Sequence, residues 1–250
     1  MSRRIIVDSR LRINLTDSTS NFTVSIPNYI NISKLRLVEA TIPLTFFLIN
    51  STNNTFLINV QGFSTYAISL TPGKYISSSI VTEIQNKLNA SVPVDTYIVT
   101  LDPITNRINI IATTNPFKIT TVAVPTDPMS IGRILGFGTT IPSYAINYTF
   151  PNQLNLSCPN ELYITSSIIT GELEEIYIQA TTTPDVTRII ERIPIFQSQG
   201  TIQTYIVPTN VRQVYVQSNT FNTFDVQIRY PNGAIVDLNN IDLTLVFDIN

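Results

Sequence analysis

Histidine and tryptophan are missing from this 250-residue chain, cysteine occurs once, and glycine only eight times. Each shortage removes a class of chemistry. Without histidine there is no Ser-His-Asp or Cys-His relay and no histidine-ligated zinc. The one cysteine, Cys158, can form neither a cysteine zinc cluster nor an internal disulfide, which suits a reducing compartment. The glycines fall in no Gly-x-Gly-x-x-Gly or Walker pattern, so no phosphate-cradling loop is expected. The lack of tryptophan tells against a surface built to stack sugars or bases.

Charge is scarce too. Charged residues make up 13% of the chain, about half the share in ordinary soluble domains. Charge keeps freely diffusing proteins apart, so a chain this poor in it fits a subunit whose surface ends in contacts. The net charge of -2 gives no overall basic field, and no sequence-specific contact with nucleic acid is expected. No window approaches 18 uncharged apolar residues, so no membrane span is expected.

The opening MSRRIIVDSRLRI is locally basic. Arg3, Arg4, Arg10 and Arg12 lie there, and period two places Arg10 and Arg12 on one strand face. They read either as charge protecting a sheet edge or as an arm that contacts an acidic neighbour or packaged nucleic acid.

What the chain does have is a period of two. NFTVSIP (21–27), KLRLVEATI (34–42), TFLINV (55–60), TYIVTL (96–101), RINIIAT (107–113), TIQTYIV (201–207), RQVYVQS (212–218) and FDVQIRY (224–230) alternate or are β-branched. The last strand, IDLTLVFDI (241–249), puts Leu243, Leu245 and Phe247 on one face. Turns are expected at Asp102-Pro103 with Asn106, and at Tyr230-Pro-Asn-Gly233. One helix is expected at 77–89, where Ile80, Ile84 and Leu88 recur every fourth residue and serines are available as N-cap. A short helical turn over 130–137 should end at Gly136 or Gly138.

Two carboxylate groups need weighing. GELEE (171–175) gathers Glu172, Glu174 and Glu175, and DLNNID (237–242) places Asp237 and Asp242 around two asparagines. The first reads as a hydrated loop and the second as a turn with asparagine in the left-handed region, rather than as a calcium site. No catalytic, cofactor or metal-binding residue is therefore assigned. The aromatic pair Phe46 and Phe47 follows Pro43 in IPLTFF (42–47). These residues either pack on their own core or plug a neighbouring subunit.

Several segments, taken in order, resemble a known family. They are VEATIPLTFFLINSTNNTF (38–56), PGKYISSSIVTEIQNKLN (72–89), YIVTLDPITNRINI (97–110), ILGF (134–137), LNLSCPNELYITSSII (154–169) and FDVQIRYPNGAIVDLNNIDLTLVFDIN (224–250). The series is similar to the penton and minor capsid proteins of double jelly-roll viruses: virophages, polinton-like viruses and nucleocytoplasmic large DNA viruses. The chain departs from them at Phe47, where the family often has tyrosine.

The resemblance implies an all-β fold, a single antiparallel jelly-roll sandwich formed by 1–44 and 141–250. Residues 45–140 would be an inserted α+β subdomain. It implies a structural virion protein without enzymatic activity, forming a homopentamer at icosahedral five-fold vertices. Its partners would be the major capsid protein and other minor capsid proteins. Arg3, Arg4, Arg10, Arg12, Pro43, Phe46 and Phe47 would be candidate subunit contacts. A cement protein bridging major capsid trimers, or a glycan-binding jelly roll, are the alternatives.

Overall fold

The computed structural model describes residues 3–121, 129–137, 143–169, 188–208, 213–216 and 220–250. The chain divides into two compact units, Met1–Phe46 with Cys158–Asn250, and Phe47–Ser157.

In the first unit, one sheet runs β1 (Arg3–Asp8), β15 (Thr244–Ile249), β3 (Lys34–Pro43), β12 (Ile202–Ile206), and β13 (Val214–Tyr215) also pairs with β3. The second sheet runs β11 (Ile189–Pro194), β10 (Glu161–Thr165), β14 (Thr220–Arg229), β2 (Asn21–Asn31). All these pairings are antiparallel. Setting aside the two-residue β13, the strands in chain order are β1, β2, β3, β10, β11, β12, β14 and β15. One sheet takes the first, eighth, third and sixth, and the other takes the second, seventh, fourth and fifth. That interleaving is the jelly roll, so the all-β expectation holds.

Alternation decides which residues fill the sandwich. On β15, Leu245, Phe247 and Ile249 are buried, while Thr244, Val246 and Asp248 point to the other face. On β14, Phe224, Val226 and Ile228 are buried. Phe224 and Phe247 come from opposite sheets and meet edge to face, with ring centroids 5.2 Å apart. Each such aliphatic or aromatic side chain stabilises the fold by roughly 1.5–3 kcal/mol when fully buried.

The second unit holds two three-stranded sheets. One is β5 (Thr65–Ser69), β4 (Thr55–Val60), β8 (Phe117–Thr121), and the other is β6 (Tyr97–Leu101), β7 (Ile108–Ala112), β9 (Asn147–Thr149). Helix α1 (Ser77–Ser91) buries Ile80, Ile84 and Leu88, as their spacing predicts. Its N-cap is Ile76, not a serine, because the serine hydroxyl that serves the first turn is at the third helical position. Ser79 Oγ accepts from the Ile76 N–H at 3.0 Å. The helix also closes the free edge of β6. Asn89 accepts from Tyr97 N at 2.7 Å and donates to its carbonyl at 3.1 Å, and Gln85 accepts from Val99 N at 2.9 Å. The short helix α2 (Ile131–Leu135) ends at Gly136 with φ of 92°.

Residues 141–157, placed with the flanking part by sequence, cluster with this second unit from 143 onward. The reason is pairing: β9 adds to β7, and Leu154 N donates to Asn106 O at 2.8 Å. No helix among the described residues is long and apolar enough to cross a membrane.

Candidate subunit interface

The four N-terminal arginines do not form a free basic arm. Arg4 Nε donates to Asp248 at 3.1 Å, and Arg36 Nη2 donates to the other oxygen of that carboxylate at 2.6 Å. Three adjacent strands, β1, β15 and β3, are thereby tied on their outer face. Arg10 and Arg12 do not share a strand face, which corrects the period-two reading. β1 ends at Asp8, whose carboxylate accepts the Arg10 N–H at 2.9 Å and starts a single 3-10 turn over Ser9–Leu11. Arg10 Nη2 doubles back to Asp8 at 2.5 Å, and Arg12 Nη1 donates to Ser9 O at 2.8 Å and to Asp242 at 3.4 Å. Arg3 is exposed.

These pairs set the acid response. Hydrogen bonding from Arg10 holds the Asp8 carboxyl below the usual carboxylate range against the cost of burial. Burial pushes Asp248 up, but Arg36 and Arg4 outweigh it and hold it low. A depressed carboxyl contributes stability that is complete above its unfolded value of about 3.9 and is lost as pH falls through the folded value. Melting from pH 6 down to pH 2 should therefore cost the natural chain more melting temperature than it costs Asp248→Asn. Equal slopes in the two proteins would show that this carboxylate is not what fails in acid.

Pro43 and Phe46 are buried in their own unit, so the open alternative for this loop resolves toward the chain's own core. Phe46 is 1% exposed and packs edge to face on Tyr230 at 5.7 Å. Thr45 Oγ1 donates to Leu238 O at 2.6 Å, and Gln199 donates to Phe46 O at 3.0 Å. Ile42 and Leu44 are buried as well. The apolar IPLTFF stretch is thus covered before any neighbour arrives, and as subunit contacts Pro43 and Phe46 are corrected. Phe47 is half-buried.

The exposed apolar surface lies elsewhere, where the alternation was read without knowing which face was inward. On β12, Ile202 and Ile206 are 67% and 71% exposed while Gln203 between them is 3% exposed. The buried amide is satisfied: it donates to Pro194 O at 2.7 Å and accepts from Phe196 N at 2.9 Å. Phe196 itself is exposed. At the other edge of the same sheet, Ile6 on β1 is exposed, and Leu11, Ile13 and Leu15 just after it are exposed too. The one signal for this in the sequence was the run Ile5-Ile6-Val7, in which both faces of a strand are apolar.

Other candidate chemistry does not assemble. GELEE (171–175) lies outside the described residues. In 237–242, Asn239 and Asn240 have φ of 52° and 60°, the left-handed turn expected. Asp237 caps Asn239 N at 2.8 Å and Asp242 accepts from Ser9 Oγ at 2.8 Å. No group of three or more metal-ligating side chains occurs among the described residues. A polar cleft of about 250 Å³ beside β10 and β14 holds one carboxylate, Asp225, which accepts from Ser166 Oγ at 3.0 Å and from Ser167 Oγ at 2.6 Å. Among the described residues its lining holds no second carboxylate.

No protein-family model matches the chain, and no curated protein matches it. Among solved structures, it is similar to a mavirus penton protein, at 10% sequence identity with a TM-score of 0.50. The match covers 100% of this chain and 99% of that one. At this identity the likeness speaks to architecture alone: the chain has a penton-like fold.

Proposed function

We propose that this chain is a structural subunit of a virus capsid, a penton that forms a homopentamer at five-fold vertices and meets the major capsid protein there. The role is structural rather than enzymatic. The observation that carries this reading is the end-to-end fold likeness to a mavirus penton protein, which spans both the jelly-roll unit and the unit inserted after β3. The surface supports it. Charge is scarce, Arg4, Arg10 and Arg12 are each paired with a carboxylate of the same chain, and one sheet exposes aliphatic side chains on both of its outer strands. An exposed apolar edge strand is a place where chains associate. Uncharged threonine and asparagine around it lose less on desolvation than lysine or glutamate would.

The paired arginines leave little of the basic arm that a cement protein would use to reach its neighbours, so the vertex reading stands ahead of it. The test is the native mass of the purified chain over a range of concentration and salt. A species near five times 27.9 kDa is expected. A chain that remains a monomer throughout would remove the homopentamer from the proposal.

A further inference from the structure

We propose that the cleft beside β10 and β14 is a binding site for one carboxylate group, held between Arg188 and Arg229. The ligand is a small free carboxylate or an acidic side chain carried by another protein.

Strand order brings the two arginines to one place. On β14, Phe224, Val226 and Ile228 are buried in the sandwich, so Asp225, Gln227 and Arg229 share the outer face. Thr165, the last residue of β10, stands opposite Gln227 on one side and Ile189, the first residue of β11, on the other. Arg188 immediately precedes β11, and its carbonyl accepts from Ser166 N at 3.3 Å. The two arginines therefore come from opposite sides of β10 and line one cleft with Ser166, Ser167, Asp225 and Gln227. The backbone is irregular at this place. The β10–β11 register slips between Ile164 and Thr165, and Arg188 holds φ of 78°. A bulge re-aims the side chains beside it, and the left-handed region is costly for a residue with a Cβ.

Charge points to the ligand. Arg4, Arg10, Arg12, Arg36 and Arg192 each lie against a carboxylate of the chain. Among the described residues, Arg188 and Arg229 meet neutral acceptors alone. Arg229 donates from Nε and Nη2 to Gln227 Oε1 at 3.1 and 2.6 Å, and from Nη1 to Gly233 O at 2.5 Å. Arg188 donates from Nη1 to Ser167 O at 3.1 Å. The cleft's own carboxylate, Asp225, accepts instead from Ser166 Oγ, Ser167 N and Ser167 Oγ. A guanidinium carries five N–H donors in a planar fork, so both arginines keep donors to spare in a geometry that matches a carboxylate.

Two cations and one resident carboxylate leave a single positive charge, which one further carboxylate balances. A phosphate dianion would exceed it and be repelled by Asp225. Size agrees: the cleft measures about 250 Å³, short of the roughly 300–1,000 Å³ that drug-sized ligands occupy.

The test reads arginine accessibility in the full-length chain at pH 8, by phenylglyoxal modification followed by peptide mass spectrometry. The probe is glutamate blocked at both backbone ends, and blocked glutamine is the uncharged control. Exposed Arg107, in the other unit, is the internal reference. A millimolar titration of blocked glutamate should slow modification of Arg188 and Arg229 at least about threefold and leave Arg107 unchanged. Blocked glutamine should protect none of the three. In Arg188→Gln, with folding confirmed by circular dichroism, Arg229 should lose at least about half of its protection, because the fork works as a pair. Acetate separates the sources. Protection equal to that of blocked glutamate assigns the site to free carboxylates, and weaker protection assigns it to a protein-borne side chain. Unprotected Arg188 and Arg229, equal slowing of Arg107, or unchanged protection of Arg229 in Arg188→Gln overturns the site. Stronger protection by inorganic phosphate than by blocked glutamate overturns the carboxylate assignment. None of these readings depends on how many copies assemble, so the site stands or falls apart from the capsid reading.

Discussion

Replacing Gly136 with alanine unfolds the second unit well below the temperature the natural chain withstands. Gly136 closes α2 with φ of 92°, a conformation that alanine adopts only with strain. Strain is the smaller part. A Cβ there would land on the backbone carbonyl of Asn152 and 2.8 Å from that of Gln153. Neither is a flexible side-chain end that could swing away. Both belong to the segment that returns to α2, where Asn152 N donates to Gly136 O at 2.9 Å and Asn155 N donates to Ile134 O at 2.8 Å. Making room means breaking that return. Adding the cost of a strained residue to that of overpacking gives a loss of about 2–5 kcal/mol, a large share of the stability of an ordinary domain. The check is a thermal melt by circular dichroism beside Gly62→Ala. Gly62 also has positive φ, at 79°, but has open space where its Cβ would go. The two variants share the backbone penalty and differ in the clash, so Gly136→Ala should melt far lower. Equal melting temperatures would mean the 152–153 segment moves aside freely.

How far the sequence announced this architecture depends on the residue. Where one face of an element is apolar and the other polar, the reading was correct. Ile80, Ile84 and Leu88 are buried at the expected spacing, as are Leu243, Leu245 and Phe247. Left-handed positions were legible when asparagine or glycine sat in a turn, as at Asn106, Asn239 and Gly233. Where both faces of a strand are apolar, or the buried residue is polar, alternation cannot say which way is in. Gln203 is buried because loop backbone at 194–197 supplies it with partners, and nothing local in TIQTYIV announces that loop. Arg10 and Arg12 failed for a related reason. A side chain that caps its own turn, as Asp8 does for Arg10 N, ends a strand that periodicity alone would continue. The inserted unit's far boundary was missed because β9 is only three residues long and finds its place by pairing with β7, a partner distant in the chain.

Phe46→Ala separates packing within the chain from contact between chains. Phe46 sits at the close of the first unit's early segment, 1% exposed, with its ring against Tyr230 and its backbone oxygen held by Gln199. Truncating a buried phenylalanine costs about 3–5 kcal/mol, the transfer loss plus the cavity left behind. Repacking can recover little, because Ile42 and Leu44 on the same stretch are already buried and Thr45 is bonded to Leu238 O. The urea midpoint measured on dilute, unassembled protein should therefore fall sharply, while Phe46→Leu, which keeps most of the volume, loses much less. If the ring were instead a plug for a neighbour, the dilute midpoint would stay put and only assembly would suffer. Ile206→Lys should leave the dilute midpoint almost where it is, because its side chain is 71% exposed and the folded chain loses little packing. The two substitutions thus divide the apolar content of this chain. Residues 42–46 belong to the jelly roll's own interior, and the isoleucines of β12 lie on its surface.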